Sequence, residues 1–127
     1  LIVLGVDAGV TTGLAIVSGD DQRVLHHSTC QVDSLDFQLT LLERTVDEVV
    51  VERALPYKRS RLGKELVLVH TVIDRACPDA YWIDASQWKN TEAKMSPVPR
   101  GVSPHEKDAI RMARWYLLRF DAPVVTS

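Results

Sequence analysis

The run "LIVLGVD", residues 1–7, constrains the fold more than any other stretch of the chain. Its apolar residues follow one another without polar alternation, so a strand formed here is buried on both faces and needs a covering layer on each side. "EVVVE", residues 48–52, makes the same demand, being too short and too β-branched for anything but a strand. Both runs close on an acid, Asp7 and Glu52. A desolvated carboxylate is costly unless it finds water, hydrogen-bond donors or a cation. For Asp7, set in "GVDAGVTTG", three roles compete: a turn-capping residue, a phosphate-loop residue and a metal ligand.

The order of elements narrows the architecture. "LIVLGVD", "GLAIVS" and "RVLHHSTC" read as three antiparallel strands joined by short turns. In "DSLDFQLTLLERTV", Leu35, Leu39, Leu42 and Val46 recur at helical spacing, and the strand "EVVVE" follows. A second helix over about 60–76 carries Leu62, Leu66, Val69, Ile73 and Ala76 on its inner stripe. "AYWIDA" is the fifth strand, and the Pro-punctuated stretch 86–102 reads as a long loop. The last helix is the best specified: Ser103, Pro104 and Glu106 form an S-x-x-E capping box with Pro at the first helical position. Ala109, Ile110, Ala113, Tyr116, Leu117 and Phe120 then make its core stripe. The expected fold is α/β, a mixed five-stranded sheet in the order β-β-β-α-β-α-β-α with helices on both faces, within one domain spanning 1–127.

Composition fits an ordinary globular domain, with 46% hydrophobic and 25% charged residues. No run approaches the roughly 20 apolar residues that span a bilayer, and no signal peptide is visible, so a cytoplasmic setting without membrane attachment is expected. Cys30 and Cys77 lie far apart, without partner histidines at zinc-like spacing, and read as small buried hydrophobes. The net charge of −2 conceals an asymmetry, because nine of the 17 acids fall in residues 1–52 against Arg23 and Arg44 alone. Such a split suits a protein that gathers cations at one place and a polyanion at another, although surface accident produces it too.

Four polar residues can converge at one edge of such a sheet. If the first and fourth strands are neighbours, Asp7 and Glu52 occupy corresponding positions. His105 and Asp108, three apart on the capped helix, share a face near the end whose free N–H groups favour anions. Hydrolysis of a phosphodiester needs an activated water and charge stabilisation on the attacking and leaving oxygens, which two metal ions about 3.5–4 Å apart provide. Mg²⁺ prefers carboxylate oxygens and water. Each residue also has a plainer reading: a turn residue for Asp7, a surface ion pair with Arg53 or Lys58 for Glu52, a first-turn helix acid for Asp108, and no role for His105. His26, His27 and His70 suggest no function by themselves.

At these residues the chain resembles a known family. "GVDAGVTTGLAIV", "VVVERALPYKRSRLGKEL" and "HEKDAIRMA" are similar to three successive blocks of the RuvC-type Holliday junction resolvases, in their short phage-like form, within the ribonuclease H-like superfamily. "QWKN" resembles the Trp-Lys that follows the fifth strand in phage members. The resemblance implies that Asp7, Glu52, His105 and Asp108 are both catalytic residues and ligands of two Mg²⁺ ions per site, with Mn²⁺ as a substitute. It implies cleavage of four-way or otherwise branched DNA, in a bacterial cell or phage-infected host. It also places a wedge residue in the loop "RALPYKRSR", closest in spacing to Leu55. The segment between Lys89 and His105 is shorter than in the family, where it generally holds a helix.

Arg53, Lys58, Arg59, Arg61, Lys64 and Lys89 are the expected phosphate contacts beside the site, and Leu55 and Tyr57 flank Pro56 where they can enter an opened base step. A homodimer is expected, since two symmetric cuts need two sites. Its interface is placed on the outward face of the second helix, at Val67, Leu68 and Val72. The rivals are a ribonuclease H-like nuclease acting on RNA or an RNA–DNA hybrid, with Glu43 available on the first helix, and a catalytically silent nucleic-acid-binding module. An actin-like kinase or ATPase, which the Gly-Thr turn also resembles, needs two such domains in a much longer chain.

Overall fold

The computed structural model describes residues 1–54 and 61–120, giving only the backbone of Arg61 and Leu62. Its centre is β1 (Ile2–Asp7), antiparallel to β2 (Thr11–Ser18) and parallel to β4 (Glu48–Glu52). β3 (Val24–Gln31) pairs antiparallel with β2, β5 (Tyr81–Ile83) pairs parallel with β4, and the sheet runs β3-β2-β1-β4-β5. The two unbroken apolar runs thus lie side by side in the middle, where both faces are covered. Leu4, Val6, Leu14, Ile16, Val49 and Val51 form one core with Leu35 and Leu39 of α1 (Val32–Glu43) and with Val69 and Ile73 of α2 (Arg61–Ala76). Val3, Ala15, Val17 and Val50 form the other, with Ala109, Ile110, Met112 and Ala113 of α4 (Pro104–Phe120). The period-two alternation of the strands separates these sets, and β3, at the edge, is only half covered.

The capping box forms as expected. Ser103 Oγ accepts the Glu106 N–H at 3.2 Å, and Glu106 Oε2 accepts the Ser103 N–H at 2.9 Å. His27 Nδ1 lies 2.5 Å from the other oxygen, Glu106 Oε1, so β3 holds the same carboxylate. Burial alone would raise this acid, but the bonds from Ser103 and His27 outweigh it and hold the carboxyl below its ordinary range.

α4 lies unusually close to the sheet, and two glycines allow it. A Cβ on Gly13 would stand 2.2 Å from the His105 carbonyl oxygen, and one on Gly5 would stand 2.2 Å from that of Ala109. The helix backbone therefore rests on the strand backbone itself.

The structure corrects four expectations. The stretch 86–102 is not one loop: it contains α3 (Ala85–Trp88) and a 3-10 turn (Glu92–Met95), and it buries Trp88 and Ala93. Its far end is held by α4, where Arg111 Nε donates to Ser96 O at 3.0 Å and Arg114 bonds Pro97 O and, through Nη2, Gln22 O at 2.9 Å. Phe120, the last residue of α4, leaves the core stripe and is 49% exposed, its ring packing on Tyr81, Tyr116 and Trp115 instead. Cys30, on the half-covered edge strand, is only partly buried, whereas Cys77 is buried. The three remaining histidines each have a polar partner: His26 bonds Ser28, His27 bonds Glu106, and His70 accepts the Ala54 N–H.

Gly13→Ala should displace the first turn of α4 and destabilise the protein by about 3 kcal/mol in urea unfolding, the upper range for overpacking. Gly101→Ala is the control. It adds a methyl in open space at φ +82°, and should cost only about 1 kcal/mol of backbone strain.

Candidate active site

One row of residues crosses the sheet at the carboxyl end of β1. Gly13, Asp7, Glu52 and Ile83 stand at successive paired positions on β2, β1, β4 and β5. The alternation that sends Val3 and Val50 toward α4 sends Asp7 and Glu52 the same way. Both carboxylates are buried, at 8% and 7% exposure, which requires specific partners. The chain just beyond Asp7 is tied to β4 by Ala8 N–H donating to Glu52 O at 3.4 Å, and Thr12 Oγ1 closes the following turn onto Gly9 O at 3.0 Å.

α4 brings its first turn over this row. Because Gly13 admits the His105 carbonyl, the imidazole reaches inward and its Nδ1 lies 3.2 Å from Asp7 Oδ2. Glu52 is held by a partner the sequence did not identify: the Trp88 indole Nε1 donates to Glu52 Oε1 at 2.6 Å. α3 delivers that indole, and its start is tightened by Asp84 N–H donating to Gln87 Oε1 at 2.8 Å. The clue was the adjacency of a Trp to a strand end, since an indole N–H can only donate and a buried one usually finds an acceptor.

Asp108 joins the group through a cation. Lys89 Nζ lies 3.7 Å from Glu52 Oε1 and 3.8 Å from Asp108 Oδ2. One ammonium thus serves a cluster of three acids. Burial first, then a hydrogen bond and charge repulsion from Glu52, push the Asp7 carboxyl up to about 8. Burial likewise raises Asp108, with Glu52 adding to the rise and Lys89 opposing it. In this arrangement no three Asp, Glu, His or Cys side chains among the described residues close on a single point as a metal cage. The donor set nevertheless suits a hard divalent cation: two buried carboxylates side by side, a third near them, and repulsion that one ammonium leaves uncompensated.

The other expected contacts divide. Arg53 is exposed, lies over the Trp82 ring at 5.6 Å, and is 3.7 Å from Asp84 rather than paired with Glu52. Lys64 is exposed on α2, and Arg61 lies at the start of that helix. Leu55, Tyr57, Lys58 and Arg59 fall outside the described residues. His70 fastens the approach to them: its Nε2 accepts the Ala54 N–H at 3.1 Å while the ring meets Trp82 edge-on. Burial and the neighbouring Arg53 lower its affinity for protons, which suits an acceptor.

Sheet order and flanking helices define a class, the ribonuclease H-like α/β fold. Within it the chain has the fold of RuvC. It is similar to "T. thermophilus RuvC in complex with Holliday junction substrate", with TM-score 0.74 and 18% identity over 94% of this chain and 96% of that one. It is similar also to "Thermus thermophilus RuvC structure", with TM-score 0.73 and 17% identity over the same shares. No family model matches the chain, and no curated protein does.

The raised Asp7 carboxyl sets a pH dependence. Between its ordinary value of 3.8 and about 8, the folded chain holds a proton that the unfolded chain has released. Its contribution to stability is therefore present below the lower value and lost as pH rises through the upper one. In chelator, Asp7→Asn should be more stable than the wild type at pH 8, with the advantage shrinking toward pH 5. Thermal unfolding at both pH values measures it, and a gap independent of pH would contradict the assignment.

Proposed function

We propose that the chain is a divalent-metal-dependent, structure-selective DNA endonuclease that cuts four-way or branched junctions. The observation that carries this reading is the register pairing of buried Asp7 with buried Glu52, beneath a helix turn that brings His105 to Asp7 and Asp108 to the same edge. These four residues would hold Mg²⁺, or Mn²⁺ in its place. Two such ions, when bound, activate water and neutralise charge on the attacking and leaving oxygens. Glu52, and Asp7 once deprotonated, supply buried negative charge, and Trp88 fixes the Glu52 carboxylate through Oε1. His105, with 48% of its side chain exposed, can act as a neutral ligand or carry a proton to and from solvent. Arg53, Arg61, Lys64 and Lys89, with Lys58 and Arg59 in the loop after Glu52, would grip phosphates without reading sequence, while Leu55 and Tyr57 would probe for an interrupted base stack. The junction-bound RuvC structure of the same fold supports the choice of branched DNA.

The proposal includes a homodimer acting in the cytoplasm of a bacterial or phage-infected cell. Among the described residues no helix is long and apolar enough to cross a membrane. Val67 and Leu68 of α2 are 57% and 51% exposed on the side away from Val69 and Ile73, a second apolar face that a twofold partner would cover, whereas Val72, expected with them, packs half-buried against the core because it lies on the inner side of the helix.

Cleavage of a mobile four-way junction, compared with linear duplex and an RNA–DNA hybrid, with and without Mg²⁺, tests the activity. Cutting should be confined to the junction and require the metal. Preference for the hybrid would favour an RNA-directed nuclease. Asp7→Asn should reduce cutting to less than about a tenth while leaving junction binding nearly intact, the loss expected when a ligand charge disappears from a metal site. His105→Asp should be tolerated better than Asp108→Asn.

Sedimentation at micromolar concentration should show a dimer, and replacing Val67 and Leu68 together with Glu should yield a monomer. A monomeric wild type, with or without junction DNA, overturns the assembly.

A further inference from the structure

We propose that Lys89 is a built-in counter-ion of the acidic cluster, its ammonium standing in the cation position between Glu52 and Asp108 and giving way when a divalent ion enters. This rests on the reading of the cluster as a metal site. The two contacts, 3.7 Å to Glu52 and 3.8 Å to Asp108, are nearly equal, and both exceed the 2.7–2.9 Å of a direct charge-assisted hydrogen bond. The ammonium is thus shared between the two carboxylates rather than committed to either.

The backbone and side chain of Lys89 are held very differently. Its N–H donates to Ala85 O at 3.0 Å at the end of α3, directly after buried Trp88, so the Cα is fixed. Its side chain is 41% exposed, with Nζ 5.4 Å from the Trp88 ring centre. A long flexible stem on an anchored backbone can swing toward solvent without disturbing the fold. A divalent ion held by Glu52 and Asp108 would bring its charge close to the ammonium, and repulsion between the two cations would favour release of the lysine. Metal binding becomes an exchange of one cation for another, and affinity is lowered by what the lysine contributed to the metal-free state. The exchange has a purpose in a buried acid cluster. The lysine limits repulsion among the carboxylates until the metal arrives, and its release frees an ammonium at the rim of the site.

The test compares wild type, Lys89→Met and Lys89→Arg by calorimetric titration with Mn²⁺, and by thermal unfolding in chelator. Lys89→Met should bind Mn²⁺ about tenfold more tightly and unfold at a lower temperature without metal, while Lys89→Arg should keep the weaker wild-type affinity. In the wild type, Mn²⁺-free titration with Mg²⁺ should shift the Trp88 indole N–H resonance, and in Lys89→Met that shift should saturate at lower Mg²⁺. Equal Mn²⁺ affinity in wild type and Lys89→Met, or weaker binding in the variant, overturns the counter-ion role and leaves the metal site standing. If neither protein binds Mn²⁺, both the role and the metal site fall.

Discussion

The approach of α4 to the sheet at Gly5 and Gly13 is the constraint on which the rest depends. Helices ordinarily stand off a sheet by the depth of their side chains, but here two missing methyls let carbonyl oxygens reach the strands. Asp7 pairs across the sheet with Gly13, and His105 is the residue whose carbonyl Gly13 admits, so the same contact sets the depth of the helix and the reach of its first-turn imidazole. The capping box and the His27–Glu106 bond then fix where the helix starts and how its end is held to β3. Helix start, helix height and acid row are thereby one geometric problem with one solution.

Against that rigid frame stands an electrostatic conflict. Among the described residues, three acids share one edge with a single ammonium, and two of the acids are buried. A fold that tolerates such repulsion gives up stability, as sites built for charged ligands commonly do. Trp88 offsets part of the cost at Glu52, and His105 offers a partner to Asp7.

The order of elements along the chain and the coverage of both faces were legible because the evidence for them is local. Uninterrupted apolar runs at 1–7 and 48–52 can only be central strands, and the Ser103–Glu106 box marks a helix start within a residue or two. The pairing of Asp7 with Glu52 was expected only if the first and fourth strands were neighbours, and the register supplies that condition. What escaped depended on distant partners. Trp88 and Lys89 lie in a stretch whose prolines and polar residues read as loop, and its short helix is stabilised by an acid 36 residues away, which no periodicity signals. His27 and His70 looked idle because their partners, Glu106 and the Ala54 N–H, are 79 and 16 residues off. Phe120 satisfied the helical period but stands at the very end of α4, and period says which face a residue is on and not how deeply it is covered there.

Arg111 and Arg114 fasten more than a loop. From adjacent turns of α4 they bond the backbone at Ser96, Pro97 and Gln22, the last a non-glycine residue held at φ 61°. The helix that carries His105 and Asp108 is thus joined to the β2–β3 turn and to the segment that follows Trp88. It cannot fray from the sheet without releasing both. Loss of order should therefore come as one event, with the amide protons of α4, the 20–23 turn and the 92–97 stretch becoming open to solvent exchange together.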